Sequence, residues 1–311
     1  MIMGFIDQMR AKGHAVESIC RVLRQEGCQI AARTYRAWRC RSASARDTSD
    51  AVLLNVLHDL VGTPEGLYGR RKMTAWLRRE GHQVGAGRVD RLMRVAGMNG
   101  VRRGRPVRTT VPAKDGCRAG DLLNRDFTAA APNTKWVADF TYVRTWAGFV
   151  YVAFVLDCYS QRILAWHAAT AKTTPLVLTP LRIALWDRDR HGHPVQPGEL
   201  IAHSDAGSQY TSLRFAEHLA AEGIAASIGT VADAYDNALM ECVIGLYKTE
   251  CITTTIFHNG PYKTIADVEY ATAGWVEWYN NRRLHSSLAM TTPAEYETAY
   301  YAALNRELAP T

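Results

Sequence analysis

Three acidic residues of this 311-residue chain have neighbours that suit work on phosphodiesters: Asp139, Asp205 and Glu241. Asp139 lies in the run WVADFTYV, which reads as a strand, so its side chain shares a face with Val137 and Thr141. Asp205 follows the apolar run ELIAH, within His203-Ser204-Asp205-Ala206-Gly207-Ser208-Gln209-Tyr210. A carboxylate leaving a central strand into a Gly/Ser turn stands where α/β sheets place functional groups. Glu241 falls in a helix expected over 234–250. At 3.6 residues per turn, Asn237 and Lys248 project within roughly 40° of it. Leu239, Val243 and Leu246 take the opposite side, with Glu250 and Asp236 turned toward them and so ill placed for the same site.

Carboxylates gathered from two strands and a helix repel one another unless a cation sits between them. Hard divalent ions such as Mg²⁺ take oxygen ligands. Two of them about 4 Å apart can activate a water or hydroxyl and stabilise the leaving oxygen of an in-line phosphoryl transfer. The sequence has no G-x-S-x-G and no G-x-x-x-x-G-K-[ST], so neither an acyl nucleophile nor a P-loop is present. On residue chemistry alone, two other readings stay open beside metal-dependent phosphodiester chemistry. Glu241 could be a surface glutamate paired with Lys248, and the chain a DNA-binding protein without catalysis.

The elements that must position these residues can be read from pattern. Strands are expected over 136–145, 149–157 and 161–168, with Gly148 in a hairpin turn between the first two. The run FVYVAFVLD is almost continuously apolar, as a strand covered on both faces should be. A helix over 174–189, a strand over 199–203, a helix over 212–222 and a strand over 224–228 follow, then helices over 234–250 and 264–280. Three hairpin-connected strands followed by alternating helices and strands imply an α/β fold with a mixed sheet flanked by helices.

The front of the chain differs. The net charge of +7 conceals 24 basic and 11 acidic residues in 1–125, against 13 and 19 in 126–311. The first 40 residues read as short helices broken at Gly13 and Gly27, with Ile19, Val22 and Leu23 as an apolar stripe, a helix-turn-helix-like pattern. A polar stretch over 42–49 separates them from a second helical block over 50–98. Between residues 70 and 108 there are 12 basic side chains and two acidic ones. Val89, Leu92, Met93 and Ala96 form an apolar stripe, and Arg88, Arg91 and Arg94 point roughly 150° from it, as a helix lying on phosphates requires. Residues 99–132 are rich in Gly, Pro and basic residues and read as a linker, mobile without DNA. The domains implied are helical modules over 1–45 and 48–103, a basic linker over 104–131, a core over 132–290 and a C-terminal tail over 291–311.

Seven cysteines with no C-x-x-C spacing indicate reduced thiols rather than a disulfide framework. His14, Cys20, Cys28 and Cys40 match no zinc-finger spacing. The longest apolar run, 146–156, is too short to span a bilayer, and no signal peptide is evident, so a cytoplasmic protein is expected.

These motifs resemble a known family: the transposases of bacterial insertion elements, and within them the second-reading-frame protein of the insertion-sequence-three family. The resemblance lies in WVADFTYV (136–143), HSDAGSQY (203–210) and DNALMECVIGLYKTE (236–250), with 35 residues between Asp205 and Glu241. It continues in YNNRRLHSSL (279–288), TPAEYE (292–297), the opening segment 5–27 and the block 68–104, and so covers most of the chain. It implies a ribonuclease-H-like, retroviral-integrase-like core with a five-stranded mixed sheet. It further implies that Asp139, Asp205 and Glu241 bind two Mg²⁺ or Mn²⁺ ions, that Lys248 contacts the element's end DNA and that Asn237 supports the glutamate helix. The DNA-binding candidates in the basic block are Arg70, Arg71, Lys72, Arg88, Arg91 and Arg94. The expected partners are double-stranded element ends and target DNA, further copies of the chain on paired ends, and an upstream-frame protein joined by frameshifting. The expected location is the bacterial cytoplasm, on the nucleoid. A ribonuclease-H-like nuclease without strand transfer and a DNA-binding regulator are the alternatives. Three positions depart from the family pattern: Ala206 where a basic residue is frequent, Ala232 where a loop glycine is usual, and Cys242 after the glutamate.

Overall fold

The computed structural model describes residues 2–102, 122–123, 126–205, 207–229 and 237–308. Most of the basic linker, Ala206, Ala232 and Asp236 therefore lie outside the described residues. The chain forms two compact units, Met1–Val56 and Leu57–Thr311.

In the first unit, helices α1 (Ile2–Ala11), α2 (Val16–Gln25) and α3 (Ala32–Cys40) close on a small core of Ile6, Ile19, Cys20, Ile30 and Tyr35. The turns between them use Gly13 and Gly27 at φ +88° and +83°, where a side chain would be strained. Val22 is 56% exposed, and Cys20 takes the inward place expected of it. Helix α4 (Ala45–Asp59) starts inside the polar stretch read as a separator. The Asp47 amide donates to Ser44 Oγ and the Ser44 amide to Asp47 Oδ2, a reciprocal cap, so those polar residues begin the helix rather than interrupt it.

The second unit carries α5 (Arg70–Arg79) and α6 (Ala86–Val95), then a five-stranded sheet in the order β3-β2-β1-β4-β5. Strands β1 (Lys135–Thr145), β2 (Gly148–Asp157) and β3 (Ile163–Ala169) are antiparallel neighbours, and β4 (Ile201–Ser204) and β5 (Ala225–Ile228) add in parallel to β1. The mixed sheet expected from the sequence is present. Helices α7 (Thr174–Arg190) and α8 (Leu213–Ala221) cover one face through Trp136, Val155, Leu181 and Phe215. On the other face Phe154 meets Tyr247 and Trp275, contributed by the stretch after α9 (Ala238–Leu246) and by α10 (Ile265–Asn281).

Residues expected as a tail form α11 (Pro293–Leu308). Thr292 and Glu295 cap it reciprocally, and Glu297 is buried against Arg188, accepting also from Arg162 (3.1 Å) and Ser160 Oγ (2.8 Å). A tail that delivers a buried carboxylate to three donors is part of the core. Among the described residues, no helix is long and apolar enough to cross a membrane.

Candidate active site

Sheet register places the first two carboxylates. β1 and β4 run parallel with Trp136 opposite Ala202 and Ala138 opposite Ser204, where β4 ends. Asp139 and Asp205 are the next residues along the two strands, so they stand side by side where β4 ends and β1 runs on to Thr145. Paired residues of neighbouring strands stand about 5 Å apart. The Phe140 amide donates to Asp139 Oδ1 at 2.7 Å. Even so, burial pushes the Asp139 carboxyl well above the usual carboxylate range, and the negative charges of Asp205 and then Glu241 add to the rise. The Lys248 ammonium opposes it. All three of the other groups thus act electrostatically on Asp139.

Glu241 is exposed in the first turn of α9. Asn237 precedes that helix, buried, and its Nδ2 donates to the Ala138 carbonyl at 3.2 Å, tying the start of the glutamate helix to the strand residue before Asp139. The helix expected over 234–250 is regular only to Leu246, after which Tyr247–Ile252 is π-helical. The inward residues are Met240, Val243 and Tyr247 rather than Leu239, Val243 and Leu246. The wider turn places Lys248 with its ammonium 4.9 Å from the centre of the Tyr142 ring. Burial lowers the Lys248 pKa, and Asp139 counters that effect. Glu250 does turn away from the site: it is buried and accepts from Arg283 Nε (2.9 Å) and Trp275 Nε1 (3.3 Å).

One site residue carried no assigned role in the sequence. Tyr210, in the run that begins with His203, is buried, and Asp139 and Asp205 both raise its pKa after burial itself. Its hydroxyl and Asn237 Oδ1 have no hydrogen-bond partner among the described residues. The signal was an aromatic ring five residues after Asp205 in an otherwise polar turn.

The donor set is oxygen alone, which suits Mg²⁺ or Mn²⁺. A divalent cation between these carboxylates would remove the repulsion that drives Asp139 toward its protonated form. Among the described residues, no three His, Cys, Asp or Glu side chains are already drawn into a metal cage, and the cysteines are free thiols.

The basic candidates divide. Arg70, Arg71 and Arg94 are exposed, Arg88 and Arg91 are half-buried, and Val89, Leu92 and Met93 face inward as their spacing requires. Arg94 pairs with Asp90 one turn back. Lys72 is half-buried over the Tyr68 ring, and burial together with Arg283 pushes its pKa down to about 7. That ammonium is turned into the fold rather than toward a ligand in solvent.

Comparison with known proteins identifies relatives of the whole chain. Residues 129–234 and 222–293 match two overlapping integrase core domain models, and residues 52–106 match an HTH-like domain. The transposase for insertion sequence element IS629 of Shigella sonnei is 41% identical over 98% of this chain and 99% of its own. A Mycobacterium tuberculosis protein of insertion sequence element IS986/IS6110 is 45% identical over 90% of this chain and 99% of its own. Among solved structures, a chain of the simian T-cell lymphotropic virus intasome aligns with 74% of this chain and 70% of its own at a TM-score of 0.45 and 14% identity. The two insertion-element relatives span nearly the whole sequence, and on them the chain belongs to the insertion-sequence-three family of transposases, as a second-reading-frame protein with an integrase core.

Proposed function

We propose that Asp139, Asp205 and Glu241 are the catalytic carboxylates of this DNA transposase and hold two Mg²⁺ or Mn²⁺ ions. The observation that carries the reading is the convergence on Asp139: Asp205 stands beside it by strand register, and Glu241 and Lys248 act on it from the glutamate helix. When bound, the ions supply activation of the attacking oxygen and stabilisation of the leaving one. Asp139 supplies oxygens from within β1 and Asp205 from the end of β4, and Glu241 completes the set from α9. Asn237 fixes the start of α9 against β1. Lys248 neutralises a phosphate of the element end.

The reaction has two stages. A water oxygen forms a bond to the phosphorus at the element's end as the bond to the 3′ oxygen breaks, leaving a free 3′ hydroxyl. That hydroxyl then attacks a target phosphodiester in line, and the target's own 3′ oxygen departs. Residues 48–103 form the DNA-holding block and 132–290, with α11 packed onto them through Glu297, the catalytic core. Arg70, Arg71, Arg88, Arg91 and Arg94 contact phosphates there, and Lys72 is the least suited because its ammonium lies over the Tyr68 ring with its pKa lowered by burial and by Arg283. The partners are double-stranded element ends and target DNA, with further copies of the chain on paired ends and an upstream-frame protein fused by frameshifting. The place of action is the bacterial nucleoid.

Labelled end DNA incubated with unlabelled target and Mg²⁺ tests the function. A joined product is expected. Cleaved fragments without joined product would instead identify a nuclease, and binding without any product would identify a regulator. The basic block has its own test in the salt dependence of end binding. Replacing Arg88, Arg91 and Arg94 with Ala should flatten the slope of log K against log salt by about 0.9 for each phosphate these arginines neutralise. An unchanged slope would remove that helix from the interface.

A further inference from the structure

The β1–β2 hairpin carries a group of aromatic side chains that neither the core nor the carboxylates use. Trp146 at its tip is 72% exposed, Phe149 50% and Tyr142 40%. Tyr142 and Phe149 meet edge to face at 5.2 Å, across the diagonal of the strand pair. Two ammonium groups lie against these rings, Lys248 over Tyr142 at 4.9 Å and Lys263 over Trp146 at 5.5 Å. Arg144 stands directly across the strand pair from Phe149.

The hairpin is held rigid. Its turn is two residues long, with Gly148 at φ +120°, and the Trp146 and Ala147 amides donate to the Tyr262 and Lys263 carbonyls, each at 3.0 Å. The segment that pins the tip thus also supplies its lysine. A preorganised apolar surface loses little entropy when it is covered.

We propose that this hairpin is a stacking platform for unpaired bases of the DNA strand that leaves the catalytic carboxylates. The proposal rests on the DNA reading above and adds the state of the DNA that the surface selects. Exposed rings alternating with cationic groups fit single-stranded nucleic acid, whose bases stack on the rings while its phosphates meet the cations. A paired duplex hides its base faces and gains from the cations alone. Position supports the assignment: Lys248 acts on Asp139 and also touches Tyr142, so the platform begins where the carboxylate site ends. Tyr142 is three residues beyond Asp139 along β1, about 10 Å of strand or about three base steps of DNA, and alternation turns it to the opposite face, with Lys248 spanning the two.

The test measures binding of the full chain to two end DNAs of equal length by fluorescence anisotropy. One is fully paired, and the other has three unpaired nucleotides at its end. The Trp146→Ala, Phe149→Ala double variant should bind the unpaired-end DNA at least about tenfold more weakly, as base–aromatic stacking on two rings implies. Its affinity for the paired DNA should stay within about twofold of wild type. The Trp146→Phe variant should recover most of the loss, since it restores a ring. An equal loss on both DNAs, or no loss on either, would overturn the platform while leaving the transposase reading intact. A change in the mass of the DNA-free double variant in sedimentation would overturn it in favour of contact between copies of the chain. Failure of the wild type to bind either DNA would overturn the DNA reading and the platform with it.

Discussion

Replacing Asp139 with Asn should raise the melting temperature of the metal-free protein and cut strand transfer by about a thousandfold or more. The stability gain follows from linkage. The carboxyl's pKa in the fold lies above its unfolded value, by burial first and by Asp205 and Glu241 after it. The folded chain therefore holds that proton more tightly than the unfolded one. Stability falls as pH rises from the unfolded value, near 4, through the raised folded one, and the penalty is complete once both are passed. Asn carries no charge and escapes it. The loss of activity follows from removing an oxygen ligand, because metal stabilisation of transition-state charge is worth several kcal/mol and each 1.4 kcal/mol is about tenfold in rate. Mg²⁺ should stabilise the wild type by binding the folded form and should stabilise Asp139→Asn little. Thermal melts with and without Mg²⁺ read both effects. A lower melting point for the metal-free variant, or an equal response to Mg²⁺, would contradict the account of the site.

The second large effect is expected far from the carboxylates. Replacing Arg283 with Met should destabilise the fold by about 3–5 kcal/mol, the cost of leaving a buried charge unpaired. Arg283 and Glu250 are both buried, and Glu250 Oε2 accepts from Arg283 Nε at 2.9 Å. Arg283 also lies over the Trp278 and Tyr279 rings. The pair sits where three segments meet. Glu250 belongs to the π-helical turn that carries Lys248, Arg283 to the run YNNRRLHSSL, and Tyr68 accepts from the Leu284 amide at 3.0 Å. Adding Glu250→Leu to Arg283→Met should recover most of the stability, because a buried ion pair is replaceable by apolar groups when both partners go. Denaturant unfolding measures the difference. A single-variant loss under about 1 kcal/mol would show that the pair does not hold these segments together.

The parts of the fold legible in the sequence are those set by local chemistry. Alternation along β1, the continuous apolar run of β2 and the turn signal at Gly148 specified the hairpin and the burial of its strands, although Gly148 itself opens β2. The cap signal Thr292-Pro293-Ala294-Glu295 was equally local and announced α11, in a segment read as a tail. Non-local relations were not legible. β1 and β4 are separated by α7 and two strands, so only the folded chain gives the register that sets Asp139 beside Asp205. A fixed 3.6-residue period cannot foresee the π-helical turn after Leu246, and it chose Leu239 and Leu246 as anchors where Met240 and Tyr247 serve. Lys72 looked like its basic neighbours because its burial is a product of the fold and the charge that further lowers its pKa, Arg283, is more than 200 residues away.

The central claim is that three carboxylates from separate elements act as one site. Single-turnover strand transfer of pre-cleaved end DNA into target, in Mg²⁺, tests it most directly, with wild type compared against Asp139→Asn, Asp205→Asn and Glu241→Gln. Each variant should bind end DNA with close to wild-type affinity and join it at least about a thousandfold more slowly. Any one of the three joining DNA within about tenfold of the wild-type rate would contradict the claim.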